Sequence, residues 1–514
     1  RDCRRVARAF IAMGLERGDR VGIWATNHPE WVLVQFGSAI AGIVLVNINP
    51  AYRTHELEYA LNNSGARALL LVERFKTSDY VSMVYQIAPK AREAKPGSID
   101  SDRLPLLRSL VLIGASTQPG MYTWQEFLGL ADSVDDDSRA ERQASLDIDD
   151  VINIQYTSGT TGLPKGASLT HHNILNNGFF AGEGMRFSEE DRLCIPVPFY
   201  HCFGMVLANL ACMTHGATMV IPAESFDARS TLVAVEQERC TALHGVPTMF
   251  IAELEHPEFE SFDLTSLRTG IMAGAPCPIE VMRKVVDRMH ASQMTIAYGE
   301  TEASPIATQT PVDASLEDRT GTVGLPTPHV ELKIVDSESG AIVPCGTQGE
   351  ICYRGYNIMR GYHNNPEGTA EVIDAAKWLH SGDLATMDER GYCKITGRVK
   401  EMIIRGGENV YPREIEEFLF SHPKVRNVQV IGVPDEKYGE EIQAWLELRE
   451  GEYATEEEIR EYCKGRIAHY KIPRYVKFVT EFPMTVTGKI QKYKMREVAI
   501  KELGLEKVAG TRMA

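Results

Sequence analysis

Tyr156-Thr157-Ser158-Gly159-Thr160-Thr161-Gly162-Leu163-Pro164-Lys165-Gly166 is the stretch on which the reading of this chain turns. Its three glycines, three threonines, one serine and one lysine bring almost no apolar area to bury. They suit an anion instead: glycines let backbone N–H groups turn toward a phosphate, hydroxyls donate further hydrogen bonds, and Lys165 adds a full positive charge. The pattern is not the P-loop of ATPases, because counting from Gly159 puts Pro164 where that motif requires its second glycine. Val151–Tyr156 alternates like a strand, and Gly166–Leu169 reads as a second extended run before Thr170 caps a helix opening at His171. The glycine-threonine segment is therefore expected to link two strands, either as a phosphate-binding loop or as a Gly/Thr-rich surface turn.

At 514 residues the chain exceeds one ordinary core, so at least two domains are expected. Apolar content of 44% and charged content of 24% are those of a globular protein. A formal net charge of −16 argues against a nucleic-acid partner, which needs a basic surface, but leaves room for a nucleotide held by a local positive site. The apolar run Trp31–Ile48 is interrupted by Gln35, Gly37, Ser38, Gly42 and Asn47 and reads as a helix followed by a buried strand, so no transmembrane segment is expected. Ten scattered cysteines without a Cys-x-x-Cys pair point away from a disulfide frame or zinc site. The chain opens at Arg1-Asp2-Cys3, already in helical register and without methionine, and reads as lacking its start, including any targeting segment.

Short apolar strands alternate with helical segments from Val6 to Val72: Arg20–Ala25, Val44–Ile48 and Ala68–Val72 as strands, Pro29–Ile43 and Thr54 to about Gly65 as helices. That alternation implies parallel βαβ units. Pro96–Pro105 and Asp132–Arg142 are polar and acidic and read as loops or excursions on the surface. The alternation resumes at Ala217–Ile221, Thr241–Val246 and Gly270–Ala273, the last ending in the turn Ala273-Gly274-Ala275-Pro276. In open α/β sheets such turns at strand ends are where ligands sit. A more β-rich stretch from Gly321 to Thr396 follows, and beyond Gly397-Arg398-Val399-Lys400-Glu401 the pattern becomes a short α+β domain in which Pro412 starts a helix to Phe420.

Several strings along the way could carry chemistry. Pro196–Met205 combines helix-breaking Pro196, Pro198 and Gly204 with aromatics suited to an apolar cavity, and its His201 reads either as a packed core histidine or as a functional one. Tyr298-Gly299-Glu300-Thr301-Glu302 could hold a base, a phosphate and a metal ion in turn, or be a charged loop. Ser381-Gly382-Asp383-Leu384 would suit a grip on ribose hydroxyls, or be an ordinary turn. Lys489 stands on a glycine-bearing turn before a basic helix, where an isolated lysine is more often a solvated surface one.

Taken together, Thr157–Gly166, Tyr298–Glu302, Ser381–Leu384, Gly397–Glu401 and Thr487–Lys489 occur in an order and spacing that resembles the adenylate-forming superfamily of acyl-CoA synthetases, luciferases and carrier-loading domains. Ile403–Pro412 and Gly488–Lys492 look most like its medium-chain fatty acyl-CoA ligases. The resemblance implies an α/β fold: a large N-terminal domain of stacked βα sheets with a distorted β-barrel-like subdomain (1–398), a hinge (399–401), and a small mobile α+β C-terminal domain (402–514). It implies ATP, Mg²⁺ and CoA as reactants or cofactors and a fatty acid as substrate. A mitochondrial matrix location comes from the resemblance alone, and oligomeric state is not readable.

The roles the resemblance implies fall on matching positions. Thr157, Ser158, Gly159, Thr160, Thr161, Gly162 and Lys165 would hold the β- and γ-phosphates, Thr301 would contact the α-phosphate, and Glu302 would bind Mg²⁺. Tyr298 and Gly299 with Gly274, Ala275 and Pro276 would enclose adenine, and Asp383 with Arg398 would hold ribose. Lys489 would bridge the attacking carboxylate and the α-phosphate, Lys400 matches the hinge, and Gly406 and Gly407 would face the CoA tunnel. His201, Phe203, Val246 and Met272 would line the acyl pocket, with His201 also gating the tunnel. The alternatives are a ligase for an aryl or branched acid, a non-turnover acyl-adenylate-binding module, which should have lost Lys489 or Glu302, a carrier-loading domain, and a luciferase-type oxidase sharing these motifs.

Overall fold

A computed structural model describes every residue except 158–163, 276, 399–400, 407, 485–489 and 511–514. Contacts group the chain into two compact units: Arg1–Glu331 with Tyr353–Leu379, and Leu332–Cys352 with His380–Ala514.

The first unit is built on two sheets. One has eight strands in the order Gly361–Tyr362, Lys165–Thr170, Val151–Thr157, Val44–Asn47, Arg20–Trp24, Ala66–Val72, Ser109–Ile113, Tyr122–Thr123. From Val151–Thr157 to Tyr122–Thr123 the pairs are parallel, as the strand-helix alternation requires. Helix Pro29–Ala41 shows why the local sequence stops and starts as it does: Pro29 opens the first turn, where its missing N–H costs nothing, and Gly42 closes it in the left-handed region at φ 68°. Val21, Ile23, Leu69, Leu70 and Val111 are fully buried, and consecutive Leu69 and Leu70 show that both faces of this sheet are covered.

The other sheet has seven strands in the order Thr218–Val220, Arg192–Cys194, Ala242–Leu243, Thr269–Ala273, Gln293–Tyr298, Thr308–Gln309, Leu325–Pro326. The first five are parallel and the last two antiparallel. His244, immediately after Ala242–Leu243, is fully buried. Its Nδ1 accepts the Ile271 N–H at 3.1 Å, so Nε2 carries the proton and donates to the Leu207 carbonyl at 2.9 Å. The imidazole thereby joins the sheet to the π-helical turn Met205–Leu210.

Most of the second unit is two further sheets. The barrel-like part of the sequence reading is an open four-stranded sheet in the order Val330–Val335, Gly349–Gly355, Leu379–Met387, Cys393–Arg398, and among the described residues its outer strands do not pair to close it. The α+β part has Gly439–Leu448 at its centre, antiparallel to Val425–Asp435 and Ile403–Arg405 and parallel to Tyr475–Phe478. Helix Pro412–Phe420 begins and ends where the sequence places it.

Two expectations need correction. Asp132–Arg142 is not all loop, because helix Asp136–Ala144 runs through it. Asp135 caps that helix by accepting the Ser138 N–H at 2.7 Å, and Asp136 and Asp137 occupy the first turn, where acids complement the helix dipole. Nor does Gly204 break the helical course: the chain is helical from Cys202 onward, and a Cβ on Gly204 would lie 2.4 Å from the Pro198 carbonyl oxygen. Glycine is required there by close approach of backbone, not by a turn. Among the described residues no helix is long and apolar enough to cross a membrane.

Burial brings the His244 imidazole down to about 4, against the opposing pull of the Leu207 and Leu243 carbonyls. Its unfolded value is about 6.5. Between these the unfolded chain holds the extra proton, so the contribution of His244 is fully present above about pH 6.5 and lost as pH falls toward 4, by roughly 3 kcal/mol in all. His244→Gln, which keeps a donor for Leu207, should flatten that acid limb when unfolding midpoints are followed between about pH 7 and 4.5. An unchanged limb would mean that His244 is not the group taking up the proton.

Candidate active site

The hairpin that carries the glycine-threonine loop is formed as the sequence predicts: Val151–Thr157 pairs antiparallel with Lys165–Thr170, with Thr157 opposite Lys165. Thr170 caps the following helix by accepting the Asn173 N–H at 3.1 Å. Ser158, Gly159, Thr160, Thr161 and Gly162 lie outside the described residues. Their anchors do not, and both anchors lead to one carboxylate.

That carboxylate is Glu302. It follows strand Gln293–Tyr298 on a short 3₁₀ turn, Thr301–Ala303, and is 9% exposed. Tyr362 donates its hydroxyl to Oε1 at 2.7 Å, and Thr157 Oγ1 approaches the same oxygen at 3.4 Å. Met359 N–H donates to the Glu302 carbonyl at 2.8 Å. Lys165 Nζ lies 5.1 Å above the Tyr362 ring, and its 3.8 Å pair with the exposed Glu371 is a weak surface contact. Tyr362 thus meets the carboxylate with its hydroxyl and the ammonium with its face. Burial first, then the charge of Glu302, raises its phenol well above the usual range, so it stays a donor. Among the described residues no side-chain cation pairs with Glu302, and a carboxylate oriented only by hydroxyls retains the hard oxygen charge that Mg²⁺ selects.

Beneath Thr301 the packing is polar and closed. Cys202 Sγ donates to Gln155 Oε1 at 3.1 Å, and the Thr301 hydroxyl also bonds the sulfur. Burial, then the nearby Glu302 charge, pushes the Cys202 thiol far up, so it stays protonated and inert. Glu300 is held by Tyr353, whose hydroxyl donates to Oε1 at 2.7 Å. Gly299, at φ 157°, could not carry a side chain, since a Cβ would stand 2.0 Å from the Pro305 carbonyl oxygen.

The residues read as the adenine cradle end adjacent parallel strands. Ala273 is in register with Ala297, so Gly274 and Ala275 leave one strand beside the point where Tyr298 ends the next. Val246 comes off the neighbouring strand close enough that a Cβ on Gly274 would touch its Cγ1 at 3.3 Å. Pro276 lies outside the described residues. Phe203 packs against the His244 ring at 5.4 Å between centroids. His201 caps the turn Cys202–Gly204, its Nδ1 accepting the Phe203 N–H at 3.3 Å. Met272 is not brought to this group: it joins Leu243 and Phe250 on one sheet face, while Phe203, Ile271 and Ala273 pack on the other.

In the second unit Asp383 and Arg398 face each other across two antiparallel strands, Arg398 Nε donating to Asp383 Oδ1 at 2.9 Å. Gly406 takes φ 61° and donates its N–H to the Tyr438 carbonyl at 2.8 Å. Lys400, Gly407 and Lys489 lie outside the described residues. Lys492 pairs with Glu416 at 2.7 Å and Glu401 at 3.2 Å, and although burial works against its charge these two carboxylates hold its pKa above the usual value. Gln155, Tyr353 and Tyr362 had no signal in the sequence as site residues, and Cys202 had none beyond its place within Pro196–Met205.

Comparison with known proteins places this geometry. The family model "AMP-binding enzyme" matches residues 1–363, and "AMP-binding enzyme C-terminal domain" matches 414–489. YngI of Bacillus subtilis, whose name assigns it as an acyl-CoA synthetase, is 52% identical over 503 residues, 98% of this chain and 91% of YngI. The mitochondrial medium-chain acyl-CoA ligase ACSF2 of Danio rerio is 48% identical over 507 residues, 98% of this chain and 83% of the relative. Among solved structures, the anthranilate CoA ligase AuaEII in complex with anthranoyl-AMP superposes with a TM-score of 0.84 at 27% identity, covering 98% of this chain and 92% of that one.

The two hydroxyls on Glu302 differ enough in length to be ranked. Tyr362→Phe should lower stability by ~1.5–3 kcal/mol, the worth of a hydrogen bond to a charged group. Thr157→Ala should cost clearly less, since 3.4 Å is near the limit of a hydrogen bond. Denaturant unfolding followed by tryptophan fluorescence would order the midpoints; a Thr157→Ala loss equal to or above that of Tyr362→Phe would show that Glu302 is held differently.

Proposed function

The chain belongs to the AMP-binding enzymes and is an AMP-forming acid–CoA ligase that works with ATP, Mg²⁺ and CoA, and we propose that its acid is a medium-chain fatty acid. The observation that carries the substrate is the 48% identity to the Danio rerio medium-chain ligase over 98% of the chain.

The reaction needs no protein nucleophile. The fatty carboxylate attacks the α-phosphorus of ATP, pyrophosphate leaves, and acyl-AMP forms; the CoA thiol then attacks the acyl carbonyl, releasing AMP and a proton. What the chain must do is hold two anions in line and neutralise the charge that builds between them. We assign the β- and γ-phosphates to the Thr157–Lys165 loop, the α-phosphate to Thr301, adenine to Tyr298 with Gly274 and Ala275, and ribose to Asp383 with Arg398. Glu302 would hold Mg²⁺, which supplies charge neutralisation on the phosphates. The support is the arrangement of the first unit, in which Thr157, Lys165, Tyr362 and Glu302 converge on one point. Lys489 would place its ammonium between the attacking carboxylate and the α-phosphate. The functional boundary would lie at 399–401, with Lys400 as the turning point that takes Lys489 away and brings Gly406 and Gly407 to the pantetheine arm, where absent side chains leave a passage.

For the acyl chain, Phe203 and Val246 on the near sheet face would supply the wall, His201 would gate the thiol's approach, and Met272 would act from behind it as packing. Each buried CH₂ contributes about 0.8 kcal/mol, so preference between neighbouring chain lengths should be shallow. An aryl acid is the second reading, favoured by the likeness to an anthranilate ligase. For location, the mitochondrial relative supports the mitochondrial matrix and the bacterial one supports the cytoplasm as the alternative.

Pyrophosphate release with acids from acetate to palmitate plus benzoate, with thioester followed separately, tests these assignments. Medium chains should give the maximum. Lys489→Ala should lower acid-dependent pyrophosphate release by at least about a thousandfold while synthetic acyl-AMP is still converted to thioester at near the native rate, as expected when a transition-state charge is removed from one step only. A maximum at benzoate would replace the fatty acid with an aryl acid, and equal losses in both half-reactions would remove Lys489 from the assigned role.

A further inference from the structure

We propose that Glu350, Cys352 and His380 form a binding site for a borderline-soft divalent cation of the zinc class, using none of the residues assigned to Mg²⁺. One donor atom from each lies within 4.8 Å of the other two. His380 Nδ1 is 2.8 Å from Glu350 Oε2 and 3.4 Å from Cys352 Sγ. Tetrahedral zinc with ligands at about 2.0–2.3 Å separates its donors by roughly 3.3–3.8 Å, so the two His380 separations need to change by only a fraction of an ångström to seat an ion.

The placement is rigid for a reason visible in the sequence. Glu350 and Cys352 are two apart on strand Gly349–Gly355 and therefore share a face, and His380 stands on Leu379–Met387, the adjacent strand of the sheet. Chelates built on neighbouring strands lose little freedom on binding. The second carboxylate oxygen is fixed as well, since Glu350 Oε1 accepts the Gly382 N–H at 2.9 Å and leaves Oε2 toward the imidazole. Ser381 braces the same turn by donating Oγ–H to the Ile351 carbonyl at 2.7 Å. Such supports orient metal ligands and raise affinity. Cys352 is fully buried, whereas the His380 and Glu350 side chains are 32% and 15% exposed, so an ion can enter from the imidazole side.

The donor set decides the metal. One sulfur, one imidazole nitrogen and one carboxylate oxygen suit zinc or cobalt and not magnesium or calcium, which take oxygen ligands. Binding deprotonates the thiol: the S–H proton passes to solvent, the sulfur lone pair forms the bond to the metal, and thiolate plus carboxylate balance the two positive charges. Affinity should therefore rise with pH.

Titrating the full-length protein with Co²⁺ reads the site directly, because a cobalt–thiolate bond gives near-ultraviolet charge-transfer absorption that oxygen and nitrogen ligands do not. A single equivalent should bind with that absorption and be displaced by Zn²⁺. Cys352→Ser should abolish the band, Glu350→Gln and His380→Gln should each weaken binding by at least about tenfold, and Cys345→Ser, which removes an exposed thiol, should change nothing. No charge-transfer band from the native protein, or a band that survives Cys352→Ser, overturns the proposal. Should Cys352→Ser not fold, undiminished affinity in both Glu350→Gln and His380→Gln overturns it equally.

Discussion

A carboxylate held by hydroxyls, with no side-chain cation beside it among the described residues, is the constraint on which the first unit depends. Glu302 hangs from the seven-stranded sheet through Gln293–Tyr298, while the hydroxyls that orient it come from the eight-stranded sheet, Thr157 from its hairpin and Tyr362 from its edge strand. The Met359 N–H on the Glu302 carbonyl repeats the connection through backbone. The two sheets of this unit are therefore tied at the point where chemistry is assigned, and a shift of either would first be felt as a lost bond to Glu302. An ion pair would have tied them as well, but it would have consumed the charge. Neutral O–H donors fix direction and leave the negative charge for a divalent cation.

The contrast with other acids in the chain sharpens this. Asp191 is locked by Arg268 at 2.7 Å, and Glu441 by two bonds from Arg405 at 2.7 and 2.8 Å. Burial works against the Asp191 charge, yet the guanidinium and its hydrogen bonds bring its pKa below the ordinary value. Those acids have their counter-charge built in and serve packing. Asp383 is intermediate: Arg398 reaches it at 2.9 Å, but the arginine is nearly half exposed, so solvent screens the pair.

What the sequence made legible follows from whether the signal is local. The hairpin around the glycine-threonine loop, the Thr170 cap and helix Pro412–Phe420 are written in neighbouring residues and came out as expected. Tyr362 could not be found that way. Its hydroxyl reaches Glu302 only because Gly361–Tyr362 pairs with Ala167 and Ser168, a contact nearly two hundred positions away along the chain. Cys202 and Gln155 were hidden likewise, meeting only across the packed interior. Helix Asp136–Ala144 was missed for a different reason: its acids looked like a solvated loop, whereas their place is in a cap and a first turn. Met272 shows the limit of reading a strand without its register, since one step of parity puts a side chain on the opposite face from its neighbours. Closure of the four-stranded sheet was not readable either, because it depends on whether the outer strands pair.

A chain with formal net charge −16 that binds ATP, a carboxylate and CoA works against its own long-range field. Two features make this tolerable. At physiological ionic strength the Debye length is about 8 Å, so the distributed surface acids are largely screened from an approaching anion. Within that distance the balance is local, and around Tyr362 it is set by Lys165 and the O–H donors of the tyrosine and Thr157, together with the cation proposed for Glu302. Around Tyr362 the positive charge comes from the Lys165 ammonium over its ring. With the phosphates assigned to the Thr157–Lys165 loop, discrimination between anions would rest on placement of donors and not on net charge.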